Sequence, residues 1–276
     1  MTLGEVLRAA AGYLERKGVD SPRLDAERLL AHALGLTRVE LYTQHDRPLT
    51  AAERGAARAL VERRGRREPL AYVLGEWGFR RLVLRTDARA LVPRPETEVL
   101  VERALALLEG VEAPRVLDVG TGSGAVALAI ASERPGAHVT ATDASAEALA
   151  LARENAGRLG LDVALVETDL LDGVGGPFDL VVSNPPYVLR EELEALEPEV
   201  RDWEPRAALV DRGQTEAIAR AAPSVLAGWL LLECHAERAA RVAALLESLG
   251  YDAVAVGRDL AGRERVVEGR WTAPRR

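Results

Sequence analysis

At 276 residues the chain exceeds the usual single-domain size of roughly 100–200 residues and predicts two domains. Its 48% hydrophobic and 29% charged residues describe a globular protein and exclude disordered and collagen-like classes. A formal charge of −7 counts against a protein that mainly grips phosphate backbones, and the single cysteine, Cys234, excludes an intramolecular disulfide and a cysteine-built zinc site.

Residues 1 to 75 read as a small helical domain. Leu3, Val6, Leu7, Ala10 and Leu14 fall at helical spacing, and Glu5 and Arg8 within that pattern argue against a signal peptide. Asp20-Ser21-Pro22 predicts a second helix start, with Leu24, Leu29, Leu30 and Leu34 behind it. Thr50 with Glu53 forms a capping-box pattern that opens a third helix running to about Arg64. The arginines Arg63, Arg64, Arg66 and Arg67 that close it are expected to be a solvated helix end, ahead of the alternative of a surface for ribosomal or tRNA-like partners. A shorter apolar segment follows at Pro69 to Leu74.

Residues 76–95 are expected to be a linker. Phe79 to Arg85 alternates like a strand, and Ala90 to Val92 is predicted to pair with it across Thr86-Asp87. Pro93 and Pro95 punctuate the exit into a helix from Glu96 to Leu108.

From Arg115 onward strands and helices alternate, which predicts an α/β domain with a mainly parallel sheet over residues 96–276. Strands are expected at 115–119, 138–142, 163–167, 179–183, 229–233, 253–256 and 265–267, the last two as an antiparallel hairpin. Helices are expected at 125–132, 146–159, 215–226 and 236–249. The longest strongly apolar run, Val225 to Leu232, is far short of the ~20 residues of a membrane helix, so no membrane partner is expected and a cytoplasmic location is the default.

Gly120-Thr121-Gly122-Ser123-Gly124 joins the first strand of this domain to its first helix. Glycines there permit a tight turn and close approach to a ligand, and Asp143, closing the next strand, is placed to bond ribose hydroxyls. These features alone do not separate a nicotinamide cofactor from S-adenosyl-L-methionine. Asp118 tilts the choice, because a carboxylate beside the turn would repel a pyrophosphate and attract an ammonium or sulfonium. Asp169 is placed to meet the adenine, with Leu170 as an apolar wall. The four histidines are scattered without ligand spacing, and no metal is expected.

Asn184-Pro185-Pro186-Tyr187 ends an apolar strand, where ligands of open α/β sheets bind. The Asn184 side-chain carbonyl and the Pro185 backbone carbonyl can accept both hydrogens of a planar amino group, Pro186 stiffens the turn, and Tyr187 is expected to stack on the flat face. This suits methylation of a conjugated nitrogen: a protein amide, or the exocyclic amine of adenine. The acidic run Glu191, Glu192, Glu194, Glu197, Glu199, Asp202 and Glu204 disfavours a nucleic-acid strand, although a solvated acidic helix face explains it equally well.

With these motifs the sequence resembles the HemK-type, or PrmC, family of bacterial release-factor glutamine methyltransferases. Asn184 to Tyr187 is similar to the family's N-P-P-Y motif. Leu91-Val92-Pro93-Arg94-Pro95-Glu96-Thr97-Glu98 is similar to its "IPRPETE" segment, and Arg258 to Arg265 to its "RDLAGxxR". The resemblance implies a Rossmann-like, seven-stranded class I methyltransferase domain behind a helical substrate-recognition domain. It implies S-adenosyl-L-methionine held by Gly120 to Gly124, Asp143 and Asn184. It also implies a release-factor glutamine, in a Gly-Gly-Gln motif, held by Asn184 to Tyr187. A sister enzyme acting on a ribosomal-protein glutamine shares the motifs.

Overall fold

The computed structural model describes residues 1–272; residues 273–276, the end of the expected catalytic domain, lie outside the described residues. The chain divides into two compact units. One is Met1–Glu76 together with Leu196–Trp203, and the other is Trp77–Ala195 together with the chain from Glu204 onward.

The first unit is helical: α1 (Leu3–Arg16), α2 (Pro22–Leu34), α3 (Arg38–Thr43), α4 (Ala51–Gly65) and α5 (Leu70–Leu74). Thr2–Glu5, Thr37–Glu40 and Thr50–Glu53 each form a complete capping box, so α1, α3 and α4 begin where a side-chain oxygen meets an otherwise orphaned amide. The short α3 has no apolar periodicity to announce it; its only sequence signal was Thr37 three residues before Glu40. Leu3, Leu7 and Leu14 of α1 and Leu29 and Leu30 of α2 are buried in this unit, each contributing about 1.5–3 kcal/mol of apolar burial.

A buried ion network completes the helical unit and corrects two expectations. Arg64, expected in solvent, is buried: its Nε donates to Asp25 Oδ2 at 2.7 Å and its Nη1 to Glu199 Oε1 at 2.7 Å. Arg67 grips the same carboxylate through Nε at 2.7 Å and Nη2 at 2.6 Å. Arg63 pairs with Glu68. Burial alone would raise the Glu199 carboxyl, but the hydrogen bonds from Arg67 and Arg64 outweigh it and hold it below its ordinary value. Glu199 is therefore no part of a solvated acidic face. Charges at helical spacing are read as exposed unless a partner is visible, and here the partner lies more than 130 residues away in sequence.

The second unit begins with a hairpin, β1 (Glu76–Phe79) and β2 (Leu82–Arg85). The turn falls at Arg80-Arg81 rather than at Thr86-Asp87, and Ala90–Val92 is not a strand. Arg80 explains the difference. It sits at φ 50°, its backbone N–H donates to Glu98 Oε1 at 2.9 Å, and its guanidinium pairs with Glu133, so the chain is pinned at that residue. There follow α6 (Thr97–Leu107), β3 (Arg115–Val119), α7 (Ala125–Glu133), β4 (His138–Asp143), α8 (Ala146–Leu159), β5 (Ala164–Glu167) and β6 (Phe178–Ser183). After a 3-10 turn at Arg190–Ala195 come α9 (Pro198–Trp203, which packs in the helical unit), α10 (Arg206–Leu209) and α11 (Gln214–Ala221). The chain then forms β7 (Leu226–Glu233), α12 (Ala239–Ser248), β8 (Asp252–Arg258) and β9 (Glu264–Arg270). The helix expected at 215–226 stops at Ala221, because Pro223 tightens the exit into a 3-10 turn before β7.

The seven strands run in the order β5-β4-β3-β6-β7-β9-β8. All neighbours are parallel except β9, antiparallel to both β7 and β8. This is the Rossmann-like α/β class the sequence predicted, with the C-terminal hairpin at one edge. Val116, Leu180, Val182 and Leu231 pack on one face, while Leu117, Val119, Val181, Leu230 and Leu232 pack on the other. Both faces are covered, which is why these strands read as unbroken apolar runs. The strand order reverses between β3 and β6, and a crevice opens beyond their carboxyl ends. Among the described residues no helix is long and apolar enough to cross a membrane.

Candidate active site

The glycine loop leaves β3 through two amides, Gly120 and Thr121, that share the Thr142 carbonyl of β4 at 2.9 Å each. Two carboxylates hold its shape. Asp118 accepts from Thr121 Oγ1 at 2.6 Å and from the Ala127 amide in the first turn of α7 at 3.2 Å. Asp143 accepts from the Gly122 amide at 2.9 Å and from the Ser145 amide at 2.9 Å. Complete burial pushes the Asp118 carboxyl up to about 7, against the lowering effect of Thr121 and Ala127, and the charge of Asp143 adds to the rise. Gly124 caps α7 at φ 85°, where a Cβ would lie 2.9 Å from Leu128 Cδ1 and 3.3 Å from Ala152 Cβ; only glycine fits without strain.

At the end of β6, Ser183 is buried and its hydroxyl donates to the Val119 carbonyl at 2.7 Å, locking the two strand ends together. Asn184 follows, its Nδ2 donating to Thr97 Oγ1 at 3.1 Å. Thr97 opens α6 and is itself buried. Pro185 and Pro186 then carry the chain out without offering a backbone donor.

These two strand ends share one cleft of about 330 Å³, within the size range of small-ligand pockets. Its walls bring together Asp118, Gly120, Thr121, Gly122, Ser123, Asp143, Asp169, Leu170, Asn184, Pro185 and Pro186. Gly124 and Tyr187 do not line it. Gly124 lies beneath the loop as the helix cap. The Tyr187 ring lies 6.3 Å from that of His235, its backbone carbonyl accepts from Arg238, and burial raises its phenol. Leu170 adopts φ 50° and its carbonyl accepts from Thr142 Oγ1 at 3.2 Å, which fixes the apolar side of the wall.

Arg94, Glu96 and Glu98 read from the sequence equally as cleft-lining residues or as a proline-framed helix start, and of the three only Arg94 lines the cleft. Arg94, also on the wall, donates through Nη2 to both Glu204 oxygens at 2.9 and 2.7 Å. Glu204 is thus a second member of the acidic run that is buried and paired, not solvated. Thr97 sat inside a quoted motif without a role. Glu233 ends β7 and is buried. A charge closing the run Leu230-Leu231-Leu232 at a strand's carboxyl end was a usable signal.

Fold and cleft together define a methyltransferase. Residues 5–75 match the PrmC N-terminal domain and residues 96–200 the methyltransferase small domain. A release factor glutamine methyltransferase of Deinococcus radiodurans is 47% identical over 98% of this chain and 99% of its own length. Another, from Geobacter sulfurreducens, is 44% identical over 98% and 96%. A T. thermophilus 16S rRNA methyltransferase solved with AdoMet and guanosine shares the fold: TM-score 0.54 at 19% identity, covering 71% of this chain and 49% of that one. The chain belongs to the family of release factor glutamine methyltransferases.

Proposed function

We propose that this protein transfers the methyl group of S-adenosyl-L-methionine to the side-chain amide nitrogen (N5) of the glutamine in the Gly-Gly-Gln motif of peptide chain release factors. It acts in the cytoplasm, residues 1–75 serve as a substrate-recognition domain, and residues 96–276 carry out the transfer. The observation that carries the reading is the committed orientation of Asn184. Its Nδ2 is spent on Thr97, so its Oδ1 remains as an acceptor on the cleft wall, next to the carbonyl of Pro185.

The wall chemistry fits the proposed methyl donor. Asp118 is a buried carboxylate where a dinucleotide would place phosphate, whereas an amino-acid nucleoside carrying ammonium and sulfonium charges is attracted there. Asp143, Asp169 and Leu170 are on the cleft wall, which supports a reading in which Asp143 meets the ribose hydroxyls and Asp169 with Leu170 the adenine. When bound, the donor supplies an electrophilic methyl group. The residues of this chain then do the rest by alignment. Asn184 Oδ1 and the Pro185 carbonyl accept the two amide hydrogens, raise electron density on nitrogen and aim it along the line of displacement. No general base is needed, because an N-methylated amide cation loses its proton to water.

A release factor incubated with the enzyme and S-adenosyl-L-methionine is expected to gain one methyl group on that glutamine, located by peptide mass spectrometry. A substrate with the glutamine replaced by alanine gains none. Methyl transfer to a ribosomal protein or to adenine instead would refute the substrate and leave a methyltransferase.

Binding of the donor should depend on pH through Asp118. Its carboxyl is pushed up to about 7, and a bound cation favours the ionised form, so binding releases a proton. Affinity measured by calorimetry is expected to fall as pH drops below about 7, by up to about tenfold per unit. Asp118→Asn should bind more weakly with a flat pH profile; an unchanged slope in that variant would remove Asp118 from the donor site.

A further inference from the structure

We infer that Arg238 is a positioning residue for methyl transfer: its guanidinium clamps the exit of the Asn-Pro-Pro-Tyr turn and so aims the Pro185 carbonyl at the substrate amide. The inference rests on the role proposed above for Pro185. Arg238 closes the 3-10 turn Ala236–Arg238 just beyond β7, where its own amide donates to the His235 carbonyl at 2.9 Å. From there its Nη1 donates to the Tyr187 carbonyl and lies 3.6 Å from Asp211 Oδ2, while its Nη2 donates to both Glu192 oxygens at 3.3 and 3.1 Å. With its side chain only 20% exposed, Arg238 is no free surface arginine.

These contacts bind two stretches of chain into one block. Glu192 Oε2 also accepts from the Leu189 amide at 2.8 Å, so residues 187–192 are held to Arg238 at both ends. The Val188 amide donates to the Leu209 carbonyl at 3.0 Å, and the Val188 carbonyl accepts from the Asp211 amide at 2.9 Å, which joins the same stretch to α10. α10 places Ala207 and Ala208 on the cleft wall, and the chain leading into it is held through Glu204 by Arg94. Arg238 fastens this block to the end of β7.

Local chemistry explains how a clamp outside the cleft reaches an atom inside it. The rings of Pro185 and Pro186 fix φ at both residues and leave the turn without backbone donors of its own there. Pro186 also confines Pro185 to extended ψ, a range roughly 40° wide. Where the Pro185 carbonyl points within that range is set by the chain on either side. Upstream, Ser183 Oγ donates to the Val119 carbonyl and Asn184 Nδ2 to Thr97 Oγ1, which fixes the strand end. Downstream, the Tyr187 carbonyl lies two residues beyond Pro185, and Arg238 holds it. A guanidinium suits this task, because its planar fork reaches a carbonyl and a carboxylate at once with little freedom to lose. Arg238 does not line the cleft, so it acts through Tyr187 rather than on the reacting atoms.

Pro186-Tyr187 is the single Pro-Tyr step in the chain, so ¹³C-carbonyl proline combined with ¹⁵N-tyrosine isolates the Tyr187 amide as one signal. Arg238→Met, which keeps much of the side-chain length without a donor, is expected to shift and broaden that signal. Arg238→Lys keeps a donor for the carbonyl and should leave it near the wild-type position. In transfer assays Arg238→Met is expected to lower kcat roughly ten- to hundred-fold, with the calorimetric affinity for S-adenosyl-L-methionine unchanged. Arg238→Lys should recover most of that loss. A general loss of structure would weaken binding of the methyl donor along with kcat, so weakened binding in Arg238→Met would overturn the clamp. So would a Tyr187 signal unmoved by Arg238→Met, a kcat within about threefold of wild type, or an Arg238→Lys variant as impaired as Arg238→Met. A Tyr187 signal that responds as described while no release factor is methylated leaves the clamp standing and refutes the substrate assignment.

Discussion

Asn184→Ala is expected to lower kcat for methyl transfer by about a hundred- to thousand-fold, with KM for the protein substrate changed far less. The reason is local. Asn184 makes a single side-chain hydrogen bond, to Thr97, and its backbone is framed by the buried Ser183 and by Pro185. Truncation therefore removes one acceptor without releasing the turn. On the role proposed for Asn184, what is lost is an interaction that strengthens as the amide nitrogen gains positive charge, so the loss falls on kcat. Asn184→Asp makes an instructive companion: its carboxylate could still accept from the substrate, but it cannot donate to Thr97. With that donor lost the orientation of the group is no longer held, and activity should fall with Asn184→Ala rather than stay with the wild type. Steady-state kinetics on a release factor decide the matter; a kcat for Asn184→Ala within about threefold of wild type would remove Asn184 from the reaction.

Arg64→Ala is expected to destabilise the helical unit by about 3–5 kcal/mol. Arg64 bonds Asp25 and Glu199 at once, and both carboxylates are buried. Glu199 keeps Arg67, but Asp25 loses its guanidinium and is left as a buried charge. The cost is that of an orphaned charge, not of the ion pair as such. Replacing Arg64, Asp25 and Glu199 together by apolar side chains of similar volume should recover most of the loss. Urea unfolding measures both, and a loss of under about 1 kcal/mol for Arg64→Ala would mean that the network behaves as a solvated surface pair.

The two predictions also mark the limits of what could be read from residues alone. The Asn-Pro-Pro-Tyr turn was legible because the backbone restriction of proline and the acceptor geometry of asparagine are intrinsic to those residues. The same holds for the glycine loop, whose positive φ angles at Gly120, Gly122 and Gly124 need no partner to be expected. Arg64, Glu199 and Glu204 were misread as solvated because a charge says nothing about its own burial; that depends on where its counter-charge arrives. Tyr187 was expected to stack on the flat face of the substrate, yet its ring lies near His235 and off the cleft wall, a direction that motif membership does not specify.

The sequence by itself determined the alternation of strands and helices, the helix starts marked by capping boxes, and the chemistry available at the carboxyl ends of β3 and β6. Each of these rests on local dihedral preference or hydrophobic period, which a short segment carries within itself. Only the tertiary structure decided the strand order, which brings the ends of β3 and β6 to one crevice. It also decided the turn at Arg80, the pairing of Arg94 with Glu204, and the contact of Thr97 with Asn184. Those contacts join residues far apart in the chain. They exist because burying apolar faces on both sides of the sheet forces particular polar side chains together, and each then needs a partner.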